Sequence, residues 1–356
     1  MAETSSARLD DAAEIRADER FDEDRLAAYL RDHVADASGP LAVRQFHGGH
    51  ANLTYLLRLG DRELVLRRPP LGPVAPKSHD MAREFRALSA LAPLYPPAPR
   101  PLLLCEDPSV IGAVFFVMER RRGIVIRTEW PAELGDDPAL RRRIGFAIVE
   151  ALAALHRIDP SRPEIAALGK PQGFVRRQVE GWHGRWQAAK TRDLPLMDML
   201  ADRLLATLPE SPAVAVLHND WKVDNTMLDA RDPGCVAAVF DWDMTTLGDP
   251  LVDLGTFLGY WAEASDDVPR GTGSTVTTLP GFPTRAELAE RYRERTGADV
   301  SRLGWYEAFG LFKTAVVLEQ IYVRFVRGQT KDERFERLGP IVPRLAEAAR
   351  TTLERP

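Results

Sequence analysis

The apolar residues of this 356-residue chain change their period about a third of the way along. Leu26, Leu30 and Val34 keep the spacing of one helix face, a pattern that starts at Phe21 and is stopped by Ser38-Gly39-Pro40. The period then shortens. Leu41 to Phe46, Leu53 to Leu59 and Glu63 to Arg68 read as strands, with Gly60-Asp61 as the hairpin turn between the last two. Between the first two lies Gly48-Gly49-His50-Ala51-Asn52, a glycine-bearing turn whose backbone can approach a phosphate. Asp80 to Leu91 returns to helical spacing and carries Glu84. After a proline-rich link over Pro93 to Pro101, Leu102 to Leu104 and Val114 to Met118 read as two more strands. Glu119 to Gly123 is a polar connector.

Beyond that connector the pattern is helical. Ile144, Ile148, Ala151, Leu152 and Leu155 form the core stripe of a helix over Arg141 to Arg157. Gln178 to Lys190, Leu196 to Leu208, Leu251 to Ala264, Thr284 to Thr296, Trp305 to Arg327 and Asp332 to Leu353 read as further helices. Trp182, Trp186, Trp261 and Trp305 are expected in the core. The Gly-, Ser-, Thr- and Pro-rich run from Ser265 to Pro283 reads as a long loop, either a lid or disordered. The expected organisation is α+β: a flexible tail over residues 1–20, a sheet-bearing N-terminal lobe over 21–118, a hinge over 119–123 and a helical C-terminal lobe over 124–356.

Composition narrows the function classes. A net charge of −5 gives no basic surface for nucleic acid or membrane. Cys105 and Cys235 stand far apart in apolar surroundings, as reduced thiols of a cytoplasmic protein do. The first twenty or so residues are polar and acidic, unlike a signal peptide, and no apolar run is long enough to span a membrane. Oligomeric state is not legible.

The candidate chemistry lies between Leu217 and Asp253. An apolar strand from Ala213 to Leu217 runs into His218-Asn219-Asp220-Trp221-Lys222-Val223-Asp224-Asn225, and a second buried strand, Cys235 to Phe240, runs into Asp241-Trp242-Asp243. An Asp, an Asn five residues on and a second Asp about sixteen further are the groups phosphoryl transfer needs. One carboxylate orients the acceptor hydroxyl, and an amide oxygen and a carboxylate hold Mg²⁺ against nucleotide phosphates. Asp243 reads equally as a metal or supporting group and as a helix cap. Asp224 and Asp249 read as turn or cap residues. Asp253 is expected to support the loop by hydrogen bonds, and His218 to pack beneath it.

These residues, together with Gly48 to Thr54, Val65 to Pro70, Ala82 to Phe85, Leu247 to Asp253 and Tyr322 to Thr330, resemble the aminoglycoside phosphotransferase/choline kinase-like superfamily over about residues 23 to 350. Within it, they look most like the phosphotransferase domain fused to acyl-CoA dehydrogenases and its stand-alone bacterial relatives. The resemblance implies a two-lobed protein-kinase-like fold with a small antiparallel sheet, and an enzyme using ATP and Mg²⁺. It places Asp220 as catalytic base or hydroxyl-orienting group, Lys222 near the γ-phosphate, and Asn225 and Asp241 as Mg²⁺ ligands. Nucleotide contacts are expected from Gly48, Gly49 and Asn52, from Arg67 (or Arg68) paired with Glu84, and from the backbone around Glu119. Arg in place of the usual strand Lys keeps a phosphate grip with a different geometry. Asn219 stands where many antibiotic-modifying relatives have Gly.

The implied partner is a small-molecule hydroxyl. Little chain lies between Asp241 and Gly248-Asp249-Pro250, which leaves no long peptide-docking segment and disfavours a protein kinase. A nucleotide-binding pseudokinase is the non-catalytic alternative. The resemblance to the fused domains implies as first acceptor a hydroxyacyl-CoA, hydroxy acid or other metabolite hydroxyl, with the phosphate later eliminated in catabolism. An aminoglycoside or other antibiotic ranks second, held by an acidic run such as Glu263 to Asp267, and a choline-like amino alcohol third.

Overall fold

The computed structural model describes residues 12–47, 52–70, 80–267, 270, 275–329 and 333–354. Gly48, Gly49 and the rest of the glycine turn up to Ala51 lie outside them. The α+β class stands, and the chain divides into two compact units. The first holds the residues up to Ile124 together with Met227–Arg231 and Ala237–Thr245, and the second holds Val125–Thr226, Asp232–Val236 and Thr246 onward.

In the first unit six antiparallel strands form one sheet: β1 (Ala12–Ala13), β2 (Leu41–Phe46), β3 (Leu53–Leu59), β4 (Arg62–Arg68), β5 (Pro101–Cys105) and β6 (Phe115–Glu119), in the order β1-β2-β3-β4-β6-β5. Successive side chains of a strand point to opposite faces. Leu64 and Leu66 of β4 pack with Tyr55, Leu57, Phe115 and Val117 against Leu26 and Leu30 of α1 (Glu23–His33). Phe116 lies on the other face, edge-on to Phe85 of α2 (Met81–Leu91) at 6.3 Å. Asp22 and Asp80 cap the two helices by accepting from the Arg25 and Arg83 amides.

Part of the expected tail belongs to this sheet. Ala12 and Ala13 pair with Phe46 and Gln45, and Ala12 and Ile15 are buried. The Tyr55 hydroxyl donates to the Glu19 carbonyl at 2.9 Å. The partners are distant in sequence, so no local window reveals them. The proline-rich link is anchored as well: the Val239 amide donates to the Pro97 carbonyl, and Tyr95 packs edge-on against Trp242. This ties the segment bearing Asp241 to the first unit. Its strands β9 (Thr226–Leu228) and β10 (Val236–Val239) join β7 (Ile124–Val125) in a three-stranded sheet.

The second unit is helical: α3 (Pro138–His156), α4 (Pro163–Ala166), α5 (Phe174–Ala189), α6 (Pro195–Ala206), α7 (Pro250–Tyr260), α8 (Arg285–Thr296), α9 (Leu303–Val326) and α10 (Ile341–Glu354). Within it, β8 (Ala215–Leu217) pairs antiparallel with β11 (Thr246–Gly248). The four expected tryptophans are buried. The last expected helix is split: a 3-10 turn over Glu333–Leu338 gives way to α10 at Gly339-Pro340, a helix-breaking pair that the apolar spacing obscured. In the expected loop, Val276 and Thr277 are buried, and Arg270 is buried against Glu307. No described helix is long and apolar enough to cross a membrane.

Helices α7 and α9 touch through their backbones. A Cβ on Gly255 would meet the Tyr306 carbonyl oxygen at 2.5 Å, and one on Gly310 would meet the Gly255 carbonyl oxygen at 2.8 Å. Since α7 and α9 carry groups that hold the Asp220 loop, described below, this crossing positions the site. Gly255→Ala is expected to destabilise the protein by about 1–3 kcal/mol through overpacking. Denaturant unfolding measures it, and an unchanged midpoint would contradict the close crossing.

Candidate active site

Strand parity decides which arginine meets the second carboxylate. Arg68 turns to the α1 face, where its guanidinium lies 5.8 Å from the Phe21 ring centre and donates to the Ile111 carbonyl. Arg67 turns to the α2 face. There its Nη1 lies 2.7 Å from Glu84 Oε1 and its Nη2 lies 2.8 Å from Asp241 Oδ1. Arg67 and Glu84 are buried, whereas the Asp241 side chain keeps 27% exposure. Burial pushes the Glu84 carboxyl up, opposed by Arg67 and reinforced by Asp241 and Asp243. Burial disfavours the Arg67 charge, but Glu84 and Asp241 outweigh it and raise its pKa. Asp241 itself has φ 67°, a left-handed conformation unusual for a residue other than glycine. Such strain persists where surrounding contacts enforce it, and it clusters at functional sites. Asp243, in the following 3-10 turn, contributes negative charge to both Arg67 and Glu84.

In the second unit, the Asp220 loop hangs from one buried carboxylate. Asp253, in the first turn of α7 after its N-cap Asp249, accepts from the backbone amides of His218 at 2.6 Å and Asn219 at 2.7 Å. His156 of α3 places Nε2 3.3 Å from the same carboxylate and Nδ1 2.7 Å from the Tyr292 hydroxyl of α8. The Asp220 amide donates to His218 Nδ1, and the His218 ring packs edge-on against Trp221. Asn219 is left-handed, with φ 67°. Its carbonyl accepts from Lys313, a buried lysine of α9.

The Asp220 carboxylate is surrounded by donors. Lys222 Nζ lies 3.1 Å away, Asn225 Nδ2 donates at 3.0 Å, and the Tyr260 hydroxyl donates at 3.3 Å. Burial would raise the Asp220 pKa, but Lys222, Lys313 and His218 outweigh it and hold the carboxyl below its usual range. Lys222 is raised despite burial, because Asp220 and Asp224 both face it. Burial lowers Lys313. Asp220 is therefore an ionised acceptor at neutral pH, and a weak base.

The remaining expected residues are placed unevenly. Asn52 is buried just before β3. Glu119 ends β6 with its carboxylate on the Arg100 amide at 2.8 Å and on Arg121 at 2.7 Å, while its own amide donates to the Arg100 carbonyl. Its side chain thus secures the connector. Lys313, His156 and Tyr292 escaped the sequence reading. For Lys313 there was a signal, an isolated lysine in the apolar run Leu311 to Leu318.

A small antiparallel sheet with a buried arginine–glutamate pair, and a helical unit carrying an Asp–Asn loop, define the protein-kinase-like class of phosphotransferase fold. Residues 42–301 match the model of the phosphotransferase enzyme family, and the chain belongs to that family. A "putative aminoglycoside phosphotransferase" from Ralstonia eutropha JMP134 is similar in structure, with TM-score 0.79 and 32% identity over 94% of this chain and 99% of that one. A macrolide 2'-phosphotransferase type I shares the fold at TM-score 0.60 and 20% identity, over 92% of this chain and 98% of that one. Acyl-CoA dehydrogenase family member 10 of Mus musculus is 34% identical over 92% of this chain, and family member 11 of Homo sapiens 33% over 95%. The chain spans 31% and 44% of the lengths of those two relatives.

Asp253→Asn keeps the shape but can no longer accept from both loop amides without presenting an NH₂ group to one of them. A loss of about 3 kcal/mol or more is expected in denaturant unfolding. A variant as stable as the wild type would contradict the role assigned to Asp253.

Proposed function

We propose that the protein is an ATP- and Mg²⁺-dependent kinase that transfers the γ-phosphoryl group to a hydroxyl of a small molecule, a hydroxyacyl-CoA or hydroxy acid. The observation that carries this reading is the ionised Asp220 carboxylate, held by Lys222, Asn225 and Tyr260 in a loop fixed by Asp253. Such a carboxylate accepts the hydrogen bond of an incoming hydroxyl and aims its oxygen. A strong base is not needed, because the proton can leave late in a loose transition state. Lys222 offers a cation to the transferred group, and Arg67, fixed by Glu84, offers a fork of donors to phosphate oxygens.

The donor chemistry fits magnesium. Asn225 uses its NH₂ on Asp220, which leaves the amide oxygen as the hard donor, and the partly exposed Asp241 supplies carboxylate oxygen. Bound there, magnesium supplies charge neutralisation on the phosphate oxygens. The reading requires Arg67 to exchange Asp241 for a phosphate oxygen when nucleotide binds, which frees the Asp241 carboxylate for the ion.

The acyl-CoA dehydrogenase names of the relatives support an acyl-chain acceptor. The name of the Ralstonia structure favours a polycationic antibiotic instead, which an acidic pocket would have to hold. Two of the three acids of the run from Glu263 to Asp267 are already engaged: Arg285 lies 3.2 Å from Glu263 and 2.7 Å from Asp266, and Arg270 lies 3.3 Å from Asp266, while Asp267 is exposed. We place the enzyme in the cytoplasm.

Nucleotide consumption with Mg²⁺ across hydroxyacyl-CoAs, hydroxy acids, aminoglycosides and amino alcohols tests the reading. Turnover is expected with a hydroxyacyl-type acceptor, and Asp220→Ala should lower it by about 10²–10⁴-fold. Equal turnover in Asp220→Ala, or turnover with aminoglycosides alone, would overturn it.

A further inference from the structure

Arg185 is a cation of the second unit to which the kinase reading gives no task. Arg185, on α5, makes no ion pair or hydrogen bond among the described residues. Its guanidinium lies 4.4 Å from the ring centre of Trp182, one turn back on the same helix, and reaches towards Gly181. The Trp182 indole is buried, so this platform is rigid. Arg185 is exposed to solvent, yet enough protein surrounds its head for burial to hold its pKa below the usual value.

Its position connects it to the chemistry. Lys313 Nζ lies 5.5 Å from the same Trp182 ring centre and donates to the carbonyl of Asn219, the residue before Asp220. Arg185 and Lys222 both disfavour the Lys313 charge, which Asp220 and Asp253 support. Three cations, Lys222, Lys313 and Arg185, therefore interact around the Asp220 loop, and Arg185 has no carboxylate partner among the described residues. Like charges brought together in partly desolvated surroundings repel, and an anion relieves that repulsion. A solvent-exposed planar guanidinium stacked on an aromatic face is suited to a carboxylate or phosphate.

We propose that Arg185, braced on Trp182, binds the anionic group of the phosphate acceptor and selects acidic acceptors over neutral ones. This rests on the kinase reading for the identity of the acceptor site. The ligand chemistry is a carboxylate, as in a free hydroxy acid, or a phosphate, as in the nucleotide part of a coenzyme A thioester.

Titration calorimetry on the full chain tests it with two matched pairs of probes. The first pair is hydroxycarboxylates against their carboxamides; the second is hydroxyacyl-CoA against the neutral N-acetylcysteamine thioester. The wild type is expected to bind the anionic member of at least one pair about 10-fold or more tightly than its neutral match, the scale of a charge-assisted hydrogen bond. Arg185→Gln is expected to abolish most of that preference while leaving ATP affinity and the thermal midpoint unchanged. The pair that responds identifies the anion as carboxylate or phosphate. A wild type that binds neutral and anionic members alike, or binds none, overturns the proposal, and so does a preference that survives in Arg185→Gln. Nucleotide consumption in the same samples is read separately. Anion binding that depends on Arg185, without turnover on any acceptor, would sink the kinase reading and leave the anion site standing.

Discussion

Two backbone amides share one buried carboxylate. Asp253 accepts from His218 and Asn219 at the point where β8 ends and the Asp220 loop begins. The amides of a loop that leaves a strand have no ladder partner, and a buried amide left unpaired costs about 1–3 kcal/mol. The carboxylate is itself held in place by His156, whose other ring nitrogen rests on Tyr292. Lys313 takes the carbonyl of Asn219 from the opposite helix. With its amide and carbonyl both engaged, Asn219 can keep a left-handed backbone that an isolated asparagine would leave. That twist delivers the Asp220 carboxylate to Lys222, Asn225 and Tyr260.

The first unit applies a related device. Arg67 is clasped by Glu84 and Asp241, and a buried guanidinium with two carboxylates has little freedom to move. Burying such charges is costly, and a well-packed apolar core would stabilise the unit as well or better. A charged cluster in this place is better explained by what it can bind than by stability. Asp241 stands at the end of β10 in a left-handed conformation, with its segment tied down by Tyr95 and Pro97, so its carboxylate too is presented by a fixed backbone.

The Asp220 loop could be read from the chain because its groups are close in sequence and of rare chemical type. Asp220, Asn225 and Asp241 follow apolar strands, and Glu84 lies on an obvious helix. Choosing between Arg67 and Arg68 required the side of the sheet on which Leu64 and Leu66 lie, which the period of two determines once one core residue is known. The rest is non-local. Lys313 meets Asn219 from a helix some ninety residues later, and β1 pairs with β2 from a segment that looks like a polar tail. Glu119 was expected to offer its backbone to the nucleotide, and its carboxylate accepts from the Arg100 amide and lies against Arg121, partners that the sequence did not show. In the acidic run from Glu263, Arg270 and Arg285 meet Glu263 and Asp266 from positions that the run itself does not reveal.

The central claim of the proposed function is that Asn225 and Asp241 are donors to nucleotide-bound magnesium. Calorimetric titration of ATP with and without Mg²⁺, on wild type, Asn225→Ala and Asp241→Asn, addresses it most directly. The wild type should bind ATP more tightly when magnesium is present, and each substitution should remove most of that difference while the protein remains folded. Metal dependence that persists in full in either variant would contradict the claim.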